Sequence, residues 1–389
     1  MPRTTPTQNP TAEPGRLVNP ALWSGRRVLV TGHTGFKGAW LCLWLQALGA
    51  RVCGVSLTEP VSSPSLYELA RVGERMEDSI ACDVRQADTL ARAVGHARPE
   101  VVFHLAAQPL VRRSLREPGL TYEVNALGTA NLLDAVLACP DVRAVVVVTS
   151  DKCYAPSPTG APHREEDPLG GHDPYSSSKA CAELIVEAYR RSYFAGAPVP
   201  RTEARLASAR AGNVFGGGDF GEDRLLPDLF RAIHAGTLKG TSEPLLVRNP
   251  DAVRPWQHVL CPLSGYLVLA QGLLAGEGCD RAWNFGPAEQ DALSVRELVE
   301  LVSARWPGGV RWERDGETHP PEIPALRLDS GRARAQLGWE PCLSLQAGVE
   351  LTTDWFGAHQ RGEDLHAMTL AQIERVSGRL STGVRSAAG

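Results

Sequence analysis

Short runs of apolar residues alternate with longer helical stretches through the first half of the chain. Four such runs lie at residues 26–32, 50–57, 100–107 and 143–150 (RRVLVTG, ARVCGVSL, EVVFHLAA and RAVVVVTS). Runs that are apolar throughout predict strands buried on both faces, as in a parallel sheet. The segment between the first two, GAWLCLWLQALGA, predicts a helix that ends near a glycine. The pattern therefore predicts a doubly wound α/β fold.

The alternation weakens beyond about residue 215. Residues 216–229 and 249–259 favour loops and short helices, whereas residues 293–306 predict an amphipathic helix and residues 332–341 a shorter one. We expect a smaller C-terminal lobe that closes over the edge of the sheet. The predicted divisions are a disordered segment at 1–20, the sheet domain at 21–212, mainly the smaller lobe at 213–376 and a flexible tail at 377–389.

Composition narrows the functional class. The 389 residues carry a net charge of −4, which gives no electrostatic reason to expect a nucleic-acid or membrane partner. Nine cysteines are scattered without a CxxC pair or metal-ligand spacing, so we expect reduced thiols, a cytoplasmic protein and no metal site. No run approaches the roughly 18 apolar residues of a membrane span.

Three glycines follow the first predicted strand in the segment TGHTGFKG: Gly32, Gly35 and Gly38. Glycines between a strand and a helix let the backbone approach a pyrophosphate at the helix N-terminus. With a second strand at the right distance, this GxxGxxG pattern predicts a Rossmann-type dinucleotide site.

The ends of the next strands hold candidates for the rest of the dinucleotide. Glu59 is a candidate acceptor for the ribose hydroxyls and Asp83 a candidate for the adenine end, and for both the alternative is a surface carboxylate. No Arg stands beside Glu59 to meet a 2′-phosphate, which favours NAD over NADP.

Tyr175 and Lys179 lie four residues apart in DPYSSSKACAEL and therefore on one helical face. A phenol is a poor base at pH 7, and a cation one turn away favours its phenolate. The chain has 40 Lys and Arg residues but only four lysines, of which Lys37, Lys152 and Lys179 lie in the motifs described here. Since Arg does not release its proton, these lysines indicate chemistry that Arg cannot perform.

The segment TSDKCY directly follows the fourth apolar run. Thr149 is expected to bond a substrate hydroxyl that Tyr175 deprotonates, while Asp151 and Lys152 supply a proton donor and a possible base. A turn with an Asp cap and a surface Lys is the alternative. Oxidation of a sugar needs only the Thr, the Tyr and a Lys, whereas an elimination needs an added acid and base.

Together these segments resemble the extended short-chain dehydrogenases/reductases of the NAD-dependent epimerase/dehydratase type, and among them the CDP-glucose 4,6-dehydratases. The resemblance covers residues 20–356 and is carried by TGHTGFKGAWL, FHLAAQPLVRRS, TYEVNALGT, TSDKCY, GGHDPYSSSKACAE and RAGNVFGGGDF. The related dTDP-glucose dehydratases look like TSDE where this chain has TSDK.

The resemblance implies a closed redox cycle on a CDP-hexose. Tyr175, supported by Lys179 and Thr149, takes the proton of the 4-hydroxyl while NAD accepts the hydride from carbon 4. Lys152 removes the proton on carbon 5, Asp151 protonates the departing 6-hydroxyl, and the hydride returns to carbon 6, giving a 4-keto-6-deoxy sugar. Because the charge of Asp151 opposes the fall in pKa that a lysine base needs, which of the two is acid and which is base stays open.

The resemblance also extends the two binding sites and suggests an assembly. The implied cofactor residues are Gly32, His33, Thr34, Gly35, Phe36, Lys37, Gly38, Glu59, Asp83, Val84, Leu105, Ala106, Ala107, Asn125, Tyr175 and Lys179. The implied substrate residues are Gln108, Ser114, Asn213, Arg224 and Arg254. The two arginines suit a diphosphate, and a surface ion pair is the alternative for either. A homodimer or higher homo-oligomer is expected through residues 181–194, whose apolar stripe would otherwise pack on the sheet.

Two rival functions remain. A nucleotide-sugar 4-epimerase or one-way dehydrogenase of the same superfamily needs Tyr175 and Lys179 but not Asp151 and Lys152. A catalytically silent NAD-sensing or scaffold protein would keep the glycine loop and lose the reaction residues, so the intact set argues against it.

Overall fold

The computed structural model describes residues 18–60, 62–157, 159–239, 244–307, 309–316 and 325–382. The strands, in chain order, are β1 Arg27–Thr31, β2 Arg51–Ser56, β3 Asp78–Ala81, β4 Val101–His104, β5 Ala144–Val148, β6 Arg205–Arg210, β7 Val214–Phe215, β8 Leu245–Val247, β9 Val253–Pro255, β10 Gln257–His258, β11 Ala282–Asn284, β12 Ala292–Ser294 and β13 Trp312–Arg314. The helices are α1 Phe36–Ala47, α2 Leu66–Leu69, α3 Ala87–Ala97, α4 Val111–Arg116, α5 Pro118–Tyr122, α6 Gly128–Leu137, α7 Pro174–Tyr193, α8 Leu225–Lys239, α9 Leu260–Ala275, α10 Val295–Arg305, α11 Leu345–Gln360 and α12 Leu365–Thr382.

Seven parallel strands form the central sheet in the order β11-β6-β5-β4-β1-β2-β3. Alternate side chains of one strand enter two different cores: Val28 and Val30 pack on the side of α1 and α9, and Leu29 packs on the side of α3, α6 and α7. Burial on both faces explains why these strands are apolar throughout. The four predicted strands are β1, β2, β4 and β5, and the predicted Rossmann-type, doubly wound fold is confirmed.

The second half of the chain adds short strand pairs outside the central sheet and also returns to the sheet. Three two-stranded pairs, β7 with β10, β9 with β12 and β8 with β13, lie outside the central sheet. In contrast, β11 adds the seventh strand beside β6, and α9 packs against β5 and β6. Every residue from Leu260 to Leu273 in α9 is buried, because its sequence is apolar around the whole helix.

Two local predictions in this half need correction. Residues 216–229, predicted as loops and short helices, contain the start of the 15-residue α8. Leu226, Leu229, Phe230 and Ile233 recur at helical spacing and are buried, and Pro227 lies in the first turn, where its missing N–H removes no helical bond. Residues 249–259, also predicted as loops and short helices, instead contain the strands β9 and β10. The shorter helix predicted over residues 332–341 is present as the π-helical turn Ala333–Leu337.

The structured region extends further at both ends than the sequence predicts. Asn19 and Pro20, placed in the disordered segment, belong to a 3₁₀ turn, and the Asn19 N–H donates to Gln271 Oε1 at 2.8 Å. Residues 377–382, placed in the flexible tail, continue α12, whose Ile373 and Val376 are buried against the core. Residues 1–17 and 383–389 lie outside the described residues. No helix in the described ranges is long and apolar enough to cross a membrane.

Candidate active site

The glycine loop joins β1 to α1, and close backbone contacts fix its shape. Gly32 has a φ of +73°, and a Cβ there would lie 2.7 Å from the backbone nitrogen of Ala106. A Cβ on Gly38 would lie 2.2 Å from the Gly32 carbonyl oxygen. The helix α1 begins at Phe36 after the extended Gly35, and its first N–H groups have no partner within the helix. A loop from which side chains are excluded at a helix N-terminus fits the pyrophosphate of NAD.

The side chain of His33 lies against the sheet. A Cβ on Gly54 of β2 would lie 2.3 Å from His33 Cγ, and the distance from His33 Nε2 to Ser79 Oγ is 2.8 Å. Burial lowers the pKa of this imidazole, which is therefore neutral at pH 7. The cofactor role predicted for His33 would fall to its backbone. By contrast, Thr34 Oγ1 lies 2.7 Å from Ser56 Oγ at the end of β2, where the ribose is expected.

The candidates for the adenosine end follow β2 and β3. Glu59 is exposed beyond β2. Asp83 forms an ion pair with Arg85 at 2.6 Å, and hydrogen bonding from Arg85 holds the pKa of that carboxyl below its usual value. The adjacent Val84 is buried, and a Cβ on Gly128 at the start of α6 would lie 2.7 Å from it. The two carboxylates thus lie after neighbouring strands, and their contacts with the cofactor stay predictions.

The turn after β4 is fastened to β1. The N–H groups of Leu105 and Ala106 each donate to Thr31 Oγ1 at 3.2 Å, and Ala107 follows in the same half-buried turn. These three residues therefore lie beside the glycine loop, as the cofactor prediction requires.

Hydrogen bonds within the protein occupy three predicted contact residues. Asn125, in the π-helical turn Glu123–Leu127, accepts from the Gln108 N–H at 2.8 Å and donates to Ser178 Oγ at 2.9 Å. The Gln108 side chain is buried and bonds to Thr121 Oγ1 and to both backbone groups of Leu110. Ser114 is fully buried and donates to the Val111 carbonyl at 2.6 Å. For Gln108 or Ser114 to contact the substrate, one of these internal hydrogen bonds would have to break and be replaced by a hydrogen bond to the substrate.

The helix α7 presents Tyr175 and Lys179 from its first two turns, as the spacing predicts. Asp173 caps the helix by accepting the Ser176 N–H at 2.9 Å, and Pro174 occupies the first helical position. Both functional side chains are buried: Tyr175 is 9% exposed and Lys179 is 6% exposed.

Burial acts on these two groups in opposite directions. It raises the pKa of Tyr175 to about 12 and lowers the pKa of Lys179 to about 8. Lys179 was expected to be the cation that lowers the pKa of the phenol, but in the structure Arg224 is the cation that does so. The carboxylate that supports the charge of Lys179 is Glu183, one turn further along α7.

Asp151 lies almost fully buried just after β5, at 2% exposure. Its Oδ1 accepts from Ser150 Oγ at 3.0 Å, whereas its Oδ2 has no hydrogen-bond partner among the described residues. A Cβ on Gly212 would lie 1.7 Å from this Oδ2. Lys152, the next residue, is half-buried. A buried carboxylate with one oxygen available, adjacent to a lysine, suits proton transfer better than a surface turn does.

The cationic side chains around this centre come from several parts of the chain. Arg224 forms an ion pair with Asp219 at 2.9 Å and acts on Tyr175, so the predicted ion-pair alternative and a place beside the centre both hold. Lys37, predicted to contact the cofactor, also feels the charges of Arg224, Lys179 and Asp151, and burial lowers its pKa to about 8. Two of the three motif lysines, Lys37 and Lys179, therefore lie close enough for the charge of one to act on the other.

The last two predicted substrate residues lie near the start of the smaller lobe. Asn213, directly before β7, has a left-handed backbone with φ +45°, and its carbonyl accepts from the Gln257 N–H at 3.3 Å. Arg254 of β9 is 8% exposed and donates to the Val253 carbonyl at 2.9 Å. Within the described ranges, no group of three His, Cys, Asp or Glu side chains is placed to hold a metal ion.

Sequence reasoning missed three residues of this centre: Glu183, Arg210 and Gly212. Glu183 accepts from Thr149 Oγ1, and Arg210, the last residue of β6, forms a buried ion pair with Glu183 at 2.7 Å. The signal for Glu183 was its place four residues after Lys179 on the same helical face. The signal for Arg210 was a charged residue at the carboxyl end of an apolar strand.

Comparison with known proteins gives the family. A profile of the NAD dependent epimerase/dehydratase family matches residues 28–271. The CDP-glucose 4,6-dehydratase of Salmonella typhimurium is 45% identical over 350 residues, which cover 90% of this chain and 95% of the relative. A solved dTDP-glucose 4,6-dehydratase from Streptomyces venezuelae, with NAD bound, superposes with a TM-score of 0.69 at 25% identity, over 87% of this chain and 99% of that chain. The UDP-glucose 4-epimerase of Thermus thermophilus, in complex with NAD, gives a TM-score of 0.70 at 25% identity, over 85% and 99%. The predicted resemblance is confirmed: this chain belongs to the NAD-dependent epimerase/dehydratase family.

Proposed function

We propose that this protein is an NAD-dependent CDP-glucose 4,6-dehydratase that converts CDP-glucose to CDP-4-keto-6-deoxyglucose. The observation that carries the proposal is the Asp151 carboxylate, buried beside Tyr175 with one oxygen available. Redox chemistry at carbon 4 alone has no use for such a group. An elimination needs it, because the departing hydroxyl must be protonated.

Bound NAD supplies a hydride acceptor for the first step and a hydride donor for the last. Tyr175 takes the proton of the 4-hydroxyl, and it does so as a phenolate whose charge Arg224 stabilises against burial. Thr149, whose hydroxyl hydrogen is bonded to Glu183, holds a neighbouring hydroxyl of the sugar in place. The 4-ketone makes the hydrogen on carbon 5 acidic, and Asp151 and Lys152 share its removal and the protonation of the 6-hydroxyl, which leaves as water. When carbon 6 takes up hydride, the same base returns a proton to carbon 5, which gives the 4-keto-6-deoxy sugar.

The smaller lobe supplies the substrate contacts in this proposal. We assign Arg224 and Arg254 to the two phosphates, since the planar guanidinium fork matches phosphate oxygens. Binding of the diphosphate by Arg224 would draw this side chain from Asp219 and change its effect on Tyr175. The proposed lobe comprises most of residues 213–376, without β11 and α9.

The proposal extends to the state and location of the protein. Leu127, before α6, and Leu184, on α7, are each 58% exposed, which favours a homodimer in which these helices face a second copy. All nine cysteines are free thiols, as expected of a protein that works in the reducing cytoplasm.

The test is incubation of the protein, with catalytic NAD, with CDP-, dTDP-, UDP- and GDP-hexoses, followed by mass spectrometry. We expect loss of one water from CDP-glucose and from no other donor. An isomer of unchanged mass would assign the protein to the epimerase branch, and a stoichiometric requirement for NAD would assign it to the one-way dehydrogenases.

A further inference from the structure

A buried carboxylate lies behind the proposed reaction centre and connects three of its elements. Glu183 of α7 is 3% exposed, and its Oε1 accepts from Thr149 Oγ1 at the end of β5. Its Oε2 accepts from Ser208 Oγ and from Arg210 Nη2 of β6, both at 2.7 Å. Each of these partners is at most 5% exposed. A charge buried this deeply persists only when it is paired and hydrogen-bonded, as it is here.

Glu183 fixes the direction in which Thr149 can act. A hydroxyl has one hydrogen and two lone pairs, and Glu183 takes the hydrogen because an ionised carboxylate only accepts. The lone pairs of Thr149 are then left for a donor on the substrate side. Thr149 therefore accepts the hydrogen bond of a sugar hydroxyl other than the 4-hydroxyl, whose single hydrogen goes to Tyr175, and cannot donate one to it.

Glu183 also acts on the charge of Lys179, one helical turn earlier. Burial lowers the pKa of Lys179 to about 8, and Glu183 is the strongest influence that raises it again. Arg210, the ion-pair partner of Glu183, is a second buried cation that depends on the same carboxylate. The other ionisable groups that interact with Lys179, Glu183 or Arg210 include Lys37 of α1, His104 of β4, Cys153 and Tyr154 after β5, and Glu165.

We infer that Glu183 is a positioning residue for the reaction: it turns the Thr149 hydroxyl into an acceptor and places a negative charge one helical turn from Lys179, without touching substrate or cofactor. This inference rests on the proposed function for its kinetic consequence. Its electrostatic consequence is independent of the substrate.

The electrostatic part is tested by NMR titration of Lys179. The chain has only four lysines, so the ¹³Cε resonances of lysine-labelled protein are assigned with single Lys→Arg variants. We expect Glu183→Gln to lower the pKa of Lys179 by about one unit or more, as loss of a nearby opposite charge does. Ser208→Ala is the matched control, because it removes one hydrogen bond to Glu183 and leaves the charge. An unchanged Lys179 pKa in Glu183→Gln overturns the inference.

The kinetic part compares the pH profiles of the same variants. In Glu183→Gln we expect kcat/KM on CDP-glucose to fall up to about 100-fold and its alkaline limb to move to lower pH by the shift measured for Lys179. A loss of activity with an unmoved limb would mean a merely structural role and would overturn the inference. If the wild type does not dehydrate CDP-glucose, the proposed function fails, and the Lys179 titration still decides the electrostatic role.

Since Glu183→Gln leaves Arg210 without its ion-pair partner, circular dichroism and thermal unfolding are measured first. If it does not fold, Glu183→Asp replaces it. This variant keeps the charge but withdraws the carboxylate by one methylene, so the Lys179 pKa should fall by a smaller amount and kcat should fall with it. If the Lys179 pKa and kcat of Glu183→Asp both equal those of the wild type, the inference is overturned.

Discussion

The carboxylate of Asp151 occupies the space that a side chain at Gly212 would fill. A Cβ built on Gly212 would lie 1.7 Å from Asp151 Oδ2 and 2.1 Å from its Cγ, well inside van der Waals contact. Gly212 comes two residues after β6, at the same edge of the sheet as the end of β5. The absence of a side chain at Gly212 therefore allows the Asp151 carboxylate to occupy its position.

We expect Gly212→Ala to displace the Asp151 carboxylate while the fold is kept, because the clashing atoms are the end of a side chain. Turnover should fall about 100-fold, the effect of misplacing a reacting group by an ångström. The measurement is kcat for water loss, with the unfolding temperature as a check. Gly119→Ala is the control, since a Cβ there meets nothing within 4 Å. Wild-type turnover in Gly212→Ala would show that the acid does not need this position.

Asp151→Asn and Lys152→Ala should separate elimination from oxidation. Both variants keep Tyr175, Lys179 and Thr149, so we expect them to oxidise carbon 4 and accumulate NADH, seen by absorbance at about 340 nm, while water loss slows by about 10²- to 10⁴-fold. Asp354→Asn, at an exposed position of α11, is the matched control. Full turnover in both variants would exclude an elimination that uses these residues.

Tyr175→Phe should abolish the first step instead. The phenol is the proposed base for the 4-hydroxyl, so we expect no NADH to form and turnover to fall about 10²- to 10⁴-fold. Tyr189→Phe on the same helix is a matched control, because it removes only a hydrogen bond to Asp134 Oδ1 of 2.9 Å. A Tyr175→Phe variant that still reduces NAD on addition of CDP-glucose would assign the base to another group.

Activity should fall as the pH rises through about 8, the pKa to which burial lowers Lys179. Below that pH the amine carries the positive charge that the proposed reaction uses beside Tyr175 and Arg224, and above it that charge is lost. Burial raises the pKa of Tyr175 to about 12, so its phenolate depends on nearby positive charges. The loss of one such charge should therefore lower activity strongly. The check is kcat/KM on CDP-glucose from pH 6 to 10. A profile that is flat through this range would contradict a role for the charge of Lys179.

The sequence alone predicts most of the sheet and the location of the site. Strands such as β5 are apolar throughout because both faces are covered, and their ends are polar because the site lies there. The start of α8 was not predicted, because the glycines before it and Pro227 within it are typical of a loop. The helical spacing of its apolar residues stabilises a helix only when they pack against a core.

The contacts between segments distant in sequence could not be predicted. Nothing in the residues around Asp151 indicates that its space depends on Gly212, about 60 residues later. The influence of Arg224 on Tyr175 likewise depends on how the segment before α8 lies relative to the start of α7. Spacing identifies partners within one helix, such as Lys179 and Glu183, whereas tertiary packing decides the others.

Assembly is tested at two exposed leucines. Leu127, beside α6, and Leu184, on α7, are each 58% exposed. A second copy that covers them would remove their apolar surface from water, which would stabilise a dimer. We therefore expect wild-type protein to be a dimer by light scattering and Leu127→Asp/Leu184→Asp to be a folded monomer, because a carboxylate opposite an apolar surface is desolvated without a partner. Val199→Asp is the control, since Val199 is 78% exposed in the loop after α7. A monomeric wild type, or a double variant that stays dimeric, would place the subunit interface elsewhere or remove it.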